Sequence, residues 1–195
     1  MVQTPFIKAL CALALAGTGS LALAHVGADG GGHHGFVSGV LHPITGLDHL
    51  AAMVAVGVWS AATTRRVWIA PLAFALTLFA GALLAQAGLH LPAIEPMIAV
   101  SMLVVGLLLA ARARLPEAGA ALLVGAFALF HGAAHGQELG GLPALLGMVA
   151  GTALLHLAGI GLGRLLQRHS VWWTRAAGAV VALMGLNMGW GLIAG

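Results

Sequence analysis

Six long runs of apolar residues follow one another along the chain, separated by short polar breaks. Most runs approach the roughly 20 residues that a helix needs to cross a bilayer. The third run is short unless it includes Leu91 to Glu95. Strands of a membrane barrel would be about half as long and would alternate between apolar and polar residues. The pattern therefore predicts an all-α polytopic membrane bundle of six transmembrane helices, with spans at about 41–62, 68–88, 96–111, 118–138, 143–163 and 176–194.

The first 24 residues have the pattern of a cleaved signal peptide. Lys8 provides a short positive region, residues 9–17 form an apolar core, and Ala22-Leu23-Ala24 is an A-x-A cleavage pattern. The alternative, an uncleaved first membrane helix, is disfavoured by the short apolar run and its small-residue end. The predicted organisation is a signal peptide at 1–24, a periplasmic His/Gly-rich segment at 25–40 and a six-helix transmembrane domain at 41–195.

Composition supports a membrane protein and narrows the possible chemistry. Of the 195 residues, 61% are hydrophobic and 7% are charged, whereas an ordinary soluble domain is about a quarter charged. The single cysteine, Cys11, lies in the predicted signal peptide, so the mature chain would have no thiolate ligand, redox pair or cysteine nucleophile. The arginines and the single lysine form no basic block, so nucleic acid is not a predicted partner.

The arginines indicate how the chain is oriented. All of them fall in the first, third and fifth loops, at 65–66, 112–114 and 164–175. The positive-inside rule assigns these loops to the cytoplasm. A cleaved signal peptide independently places His25 outside. We therefore expect a protein of the bacterial inner membrane whose mature N-terminus and C-terminus are both periplasmic.

Glycines recur at a spacing that allows helices to approach closely. The small-residue patterns are Gly132-x-x-x-Gly136, Gly147-x-x-x-Gly151 and Gly185-x-x-x-Gly189. They predict a compact bundle and indicate nothing about oligomeric state.

Ionisable side chains inside a membrane are costly and usually mark a site or a pathway. The first span contains three of them, His42, Asp48 and His49. His42 and His49 are seven residues apart and would share one face of a continuous helix, with Asp48 about 100° to the side. Pro43 is suited to the first turn of a helix. Counting inward from there at about 1.5 Å per residue places His49 roughly 9 Å below the outer surface.

The fourth span carries a second group, His131, His135 and Glu138. Their i, i+4, i+7 spacing puts them on one face. Because this span runs outward and ends near Glu138, His131 is expected roughly 10 Å deep, with His135 and Glu138 nearer the mouth. Imidazole and carboxylate together suit Ni²⁺, Co²⁺, Zn²⁺ or Cu²⁺. The alternative is that the histidines only join helices by hydrogen bonds. The two groups meet only if the two spans are neighbours, which the sequence does not decide.

The predicted mature N-terminus offers further ligands. An α-amine beside the His25 imidazole can chelate a divalent ion, and His33-His34 on a glycine tether adds two more imidazoles. The alternative is a flexible leader with incidental histidines. Deep in the fifth span, His156 is either a second waypoint for an ion or a packing residue.

The chain resembles the HupE/UreJ family of bacterial membrane proteins, which is linked to hydrogenase and urease maturation. The resemblance is carried by the signal ending before His25, by H-P-x-x-G-x-D-H at His42 to His49 with Ala52-Met53 after it, and by the segment from His131 to Glu138. It covers nearly the whole chain and implies permeation of nickel, sometimes cobalt, into the cell without an ATP-binding module. The sequence contains no G-x-x-x-x-G-K-[ST] pattern, in agreement with that implication. The family pattern carries over to His42, Asp48, His49, His131, His135 and Glu138 as residues of the metal path.

The leading hypothesis is a secondary permease that imports Ni²⁺, with Co²⁺ as the second candidate, and not an enzyme. The ion would be captured by the N-terminal histidines and come to rest between the first and fourth spans. It is cargo, so no prosthetic group is expected, and the expected partners are the metal ion and the lipid bilayer. The alternatives are an intramembrane metalloenzyme in which Zn²⁺ activates water, and a metal-binding accessory protein that does not transport. The predicted metal-binding residues are His25, His42, Asp48, His49, His131, His135 and Glu138.

Overall fold

The computed structural model describes residues 35–194, and the regular secondary structure in that range is entirely α-helical. The predicted signal peptide and His25, His33 and His34 lie outside the described residues. The helices are α1 (Phe36–Thr45), α2 (Leu47–Thr63), α3 (Ile69–Gln86), α4 (Ile94–Ala111), α5 (Glu117–Glu138), α6 (Gly141–His169) and α7 (Val171–Ala194).

Five of these helices, α3 to α7, are long and apolar enough to cross a membrane. The pair α1 and α2 is bent by 85° and forms a sixth span only when the two are taken together. The helix α4 includes Ile94 and Glu95, which the short third run needed to reach a membrane-spanning length. The prediction of an all-α membrane bundle is confirmed.

The first predicted span differs from the continuous helix expected from about residue 41. The helix α1 begins at Phe36 and contains Pro43 near its end, not in its first turn. Proline lacks a backbone N–H and disfavours helical geometry in the residue before it. The chain leaves the helix at Gly46, in an extended conformation with φ −84° and ψ 112°. His42 and His49 therefore lie on different helices, so the prediction of a shared face is wrong, and so is the placement of Pro43 in a first helical turn from which the depth was counted.

The predicted loop at 164–175 is also mostly helical. The helix α6 continues to His169, and α7 begins at Val171. The apolar run ends at about residue 163, but the residues that follow it include arginine, leucine and glutamine, which are strong helix formers. Hydrophobicity therefore indicated where the apolar part of the helix ends and not where the helix itself ends.

Glycines bring helix backbones into direct contact. The helix α5 packs mainly on α3, α7 on α4, and α1 and α2 on α6. A Cβ atom at Gly132 would overlap the carbonyl oxygen of Leu78 on α3. Close backbone approach of this kind is what small residues allow between membrane helices. A Cβ would meet a neighbouring backbone in the same way at Gly136, Gly147, Gly151 and Gly185.

The arginine-bearing segments gather at one end of the bundle. Arg66 Nη1 lies 3.8 Å from Glu117 Oε2, which joins the first of these segments to the start of α5. Gln167 Nε2 donates to the carbonyl oxygen of Ala61 at 3.2 Å, which joins the end of α6 to the end of α2. The opposite end of the bundle contains the break at Gly46 and the end of α5.

Candidate metal-binding site

A cavity of about 250 Å³ lies beside the break between α1 and α2 and the last turn of α5. Five of the predicted ligands line it, so the two groups read from the sequence do meet. His131 does not line this cavity. The lining residues are His42, Thr45, Gly46, Asp48, His49, His135 and Glu138.

The mouth of the cavity brings together candidate ligands from two helices. His42 Nε2 of α1 lies 2.9 Å from Glu138 Oε2 at the end of α5, and both side chains are partly exposed. His135 Nδ1 lies 3.7 Å from the same carboxylate oxygen. One ligand atom from each of the three lies within 4.8 Å of the other two. This spacing is close to the roughly 4 Å that separates opposite ligands of one ion, so small side-chain rotations would let the three share it.

Four imidazole rings continue from the mouth into the bundle. The ring of His42 is 4.8 Å from that of His135, His135 is 4.1 Å from His49, and His49 is 5.1 Å from His131, measured between ring centroids. We call His42, His135, His49 and His131 the imidazole row. His42 is partly exposed, whereas the other three are at most 2% exposed. Asp48 flanks the row, with Oδ1 3.9 Å from His49 Nδ1.

The three inner imidazoles of the row lie between α2 and α5, two helices that are not each other's main packing partners. The helix α2 packs mainly on α6, and α5 packs mainly on α3. The space between α2 and α5 is occupied by imidazole rings from both sides. His135 was expected near the mouth and lies there beside Glu138. Its side chain is buried, and its ring connects the mouth to the inner part of the row.

Several nitrogen atoms of the row have no hydrogen-bond partner among the described residues. They are Nδ1 of His131 and Nε2 of His135. Leaving a buried polar atom without a partner costs roughly 1–3 kcal/mol, and buried polar groups in proteins are nearly always paired. Neutral imidazole nitrogens with their lone pairs available are typical ligands for divalent transition metals. The donor set of the row and its flanking carboxylates therefore fits such an ion.

Ser101 of α4 also contacts the row, and it was not among the residues predicted from the sequence. Its hydroxyl oxygen lies 2.8 Å from His131 Nε2, and both residues are buried. The sequence did contain an indication of a polar contact here, since Ser101 is the single hydroxyl residue within the apolar run 96–111. Serine is common where membrane helices pack, so this signal did not by itself indicate a contact with a histidine on another helix.

His156 of α6 lies beyond the inner end of the row. The ring of Phe74 on α3 lies 5.6 Å from that of His131 and 5.1 Å from that of His156. His156 is buried, and its Nε2 has no hydrogen-bond partner in the described part of the chain. An apolar ring thus separates the row from a further buried imidazole.

Comparisons with known proteins identify the family of the chain. The sequence matches the family described as HupE / UreJ protein over residues 13–188. It is 41% identical over 191 residues to Protein HupE of Rhizobium leguminosarum bv. viciae, covering 95% of this chain and 97% of that protein. No solved structure matches the chain. The chain therefore belongs to the HupE/UreJ family, and it is a transporter-like accessory membrane protein and not an enzyme.

Proposed function

We propose that this protein is a secondary permease that carries Ni²⁺ into the cell, with Co²⁺ as the second candidate. The ion would enter at His42, Glu138 and His135. It would then come to rest near Asp48, His49 and His131. His25 and the His33-His34 pair would capture the ion before it reaches the mouth, as the sequence analysis suggested.

One observation carries the proposal: the imidazole row begins at a partly exposed mouth and ends in the buried interior. Successive rings are 4.8, 4.1 and 5.1 Å apart. An ion bound to one ring is therefore always close to the next ligand. It can move from one imidazole to the next without regaining its full shell of water, which lowers the energy barrier for that step. A site that only stored metal would need one closed set of ligands and no row.

The types of ligand in the row suit a protein that takes up a metal ion and then releases it. The row contributes imidazoles, which bind as neutral ligands. Among the described residues, two carboxylates, Asp48 and Glu138, flank it. Conduction requires binding that is favourable enough for entry and weak enough for exit, spread over several sites. Two negative charges would balance the charge of one divalent ion without trapping it.

The donor set does not select the metal. Nitrogen and oxygen ligands bind Cu²⁺ more tightly than Ni²⁺ in almost any geometry, so selectivity depends on geometry and metal supply. The choice of nickel rests on membership of the HupE/UreJ family.

The proposal is tested by uptake of radioactive nickel into intact cells that produce the protein, and into vesicles that contain the purified protein. We expect nickel to accumulate inside, and excess Co²⁺ to compete with it. The His169→Ala variant is the control, because His169 is exposed at the end of α6, far along the chain from the cavity. Nickel that binds to the protein but does not enter would contradict the permease and favour the non-transporting accessory protein.

A further inference from the structure

The hydroxyl group of Ser101 determines which ring nitrogen of His131 carries the hydrogen. Ser101 Oγ lies 2.7 Å from the carbonyl oxygen of Ile98 and 2.8 Å from His131 Nε2. A hydroxyl group has one hydrogen to donate, and a carbonyl oxygen can only accept. The hydroxyl hydrogen therefore goes to Ile98, since two oxygens at 2.7 Å without a hydrogen between them would repel each other. Ser101 must then accept a hydrogen from His131 Nε2.

This hydrogen bond determines which nitrogen of His131 has the available lone pair. A neutral imidazole carries one N–H, and the other nitrogen is an acceptor or a metal ligand. With the hydrogen on Nε2, the lone pair is on Nδ1. That atom is buried and has no hydrogen-bond partner among residues 35–194. The His131 ring lies next to that of His49, at the inner end of the imidazole row.

We propose that Ser101 is a positioning residue that holds His131 in the Nε2–H tautomer and so presents Nδ1 as the nitrogen that binds the metal. The role of Nδ1 as a ligand rests on the proposed function, whereas the tautomer does not. Histidines that bind metals commonly donate their other N–H to a fixed acceptor, which orients the ring and makes the ligand more basic. Ser101 is such an acceptor, supplied by a helix that places no residue on the cavity wall.

The competing explanation is that the contact only joins α4 to α5. Hydrogen bonds from serine across membrane helices are common and stabilise the bundle modestly. A joining role requires only that the hydrogen bond connects the two helices, whereas a positioning role also requires that it fixes the His131 tautomer and supports metal binding. A hydrogen on Nδ1 would exclude the positioning role, and the effect of Ser101→Ala on nickel affinity separates the two explanations.

The first experiment records ¹⁵N nuclear magnetic resonance spectra of the full chain labelled at histidine, in lipid nanodiscs without metal. Comparison with His131→Gln identifies the His131 signals. We expect one nitrogen typical of Nε2–H and an unprotonated Nδ1. A hydrogen on Nδ1 in the unmodified protein would overturn the proposal, and this result requires neither bound metal nor transport.

The second experiment measures equilibrium binding of Ni²⁺ to Ser101→Ala and Ser101→Thr in the same nanodiscs. Loss of an outer hydrogen-bond partner of a metal ligand typically weakens metal binding about 10- to 100-fold. We expect a weakening in that range for Ser101→Ala, together with a mixture of His131 tautomers, and recovery of both properties in Ser101→Thr. Ser60→Ala is the matched control, because Ser60 is a buried serine on α2 whose hydroxyl contacts no polar partner among the described residues.

Unchanged nickel affinity and a single tautomer in Ser101→Ala would overturn the proposal. Equal weakening in Ser60→Ala would also overturn it, since the effect would then come from losing any buried hydroxyl. If the unmodified protein shows the expected tautomer but neither binds nor imports nickel, the proposed function fails and the assignment of the tautomer to Ser101 stands.

Discussion

His49 and His131 are the innermost imidazoles of the row, and each is at most 2% exposed. They come from α2 and α5, so an ion between them would link the two helices. We expect His49→Ala and His131→Ala each to abolish nickel uptake at limiting metal concentration while the protein remains folded in the membrane. Removing an imidazole relieves a buried polar group, so the bundle need not be destabilised.

The double variant tests whether the two histidines act on one ion. It should be no worse than either single variant, because residues that act as a unit are strongly non-additive. Near-normal uptake by either single variant would contradict a shared site. Loss of the protein from the membrane would indicate that these histidines serve packing.

Glu138 supplies the only carboxylate in the group of three at the mouth. We expect Glu138→Gln to raise the nickel concentration that gives half-maximal uptake by about tenfold, which corresponds to about 1.4 kcal/mol. The amide keeps the size of the side chain but loses the charge that attracts the cation. Glu117→Gln is the control, because Glu117 lies at the arginine end beside Arg66. An unchanged concentration dependence would show that the mouth does not use this charge.

Most residues of the site were predictable one by one, because an ionisable side chain in an apolar run is conspicuous. His42, Asp48, His49, His135 and Glu138 line one cavity, whereas the sequence left open whether the two groups meet. Ser101 was not predictable in this way. Its importance comes from a partner 30 positions away in the chain, and a serine in a membrane helix has no distinctive pattern.

At the scale of helices, the packing of α5 on α3 sets the position of the site. Gly132 lies next to His131 in the chain, and its backbone contacts α3. We expect Gly132→Ala to lower the free energy of unfolding by roughly 1–3 kcal/mol, as for other overpacked positions, because the added Cβ meets the backbone of Leu78. The measurement is thermal unfolding in mild detergent. Gly161→Ala on α6 is the matched control, because a Cβ there would meet nothing within 4 Å. Equal stability of the two variants would contradict the backbone contact.

His156 on α6 lies beyond the inner end of the imidazole row, on the other side of the Phe74 ring. We expect His156→Leu to lower nickel uptake without lowering stability. The Nε2 atom has no hydrogen-bond partner in the described residues. An apolar replacement therefore removes a buried polar cost, but it also removes a candidate ligand beyond Phe74. The measurements are uptake and thermal unfolding of the same preparation. Lower stability with normal uptake would identify His156 as a packing residue.

At the scale of the whole molecule, the cavity and the arginines lie at opposite ends of the bundle. The positive-inside rule predicts that the arginine end faces the cytoplasm. We expect a membrane-impermeant maleimide to label Leu142→Cys in cells whose inner membrane is intact, and to label His169→Cys only after that membrane is opened. Both variants would carry Cys11→Ala, since Cys11 is the single cysteine of the chain. The reverse labelling pattern would place the mouth of the cavity inside the cell and contradict import.

The sequence by itself determined the helical class, most of the span positions and the two groups of ligands. These features depend on local patterns: the length of apolar runs, the spacing of residues on a helix and the cost of ionisable groups in lipid. Only the tertiary structure decided that the chain breaks at Gly46, that His42 contacts Glu138 across that break, and that Ser101 contacts His131. The physical reason is that these contacts depend on which helices pack together. That choice is made by complementary backbone surfaces at glycines such as Gly132, and the periodicity of a single helix does not specify its partner.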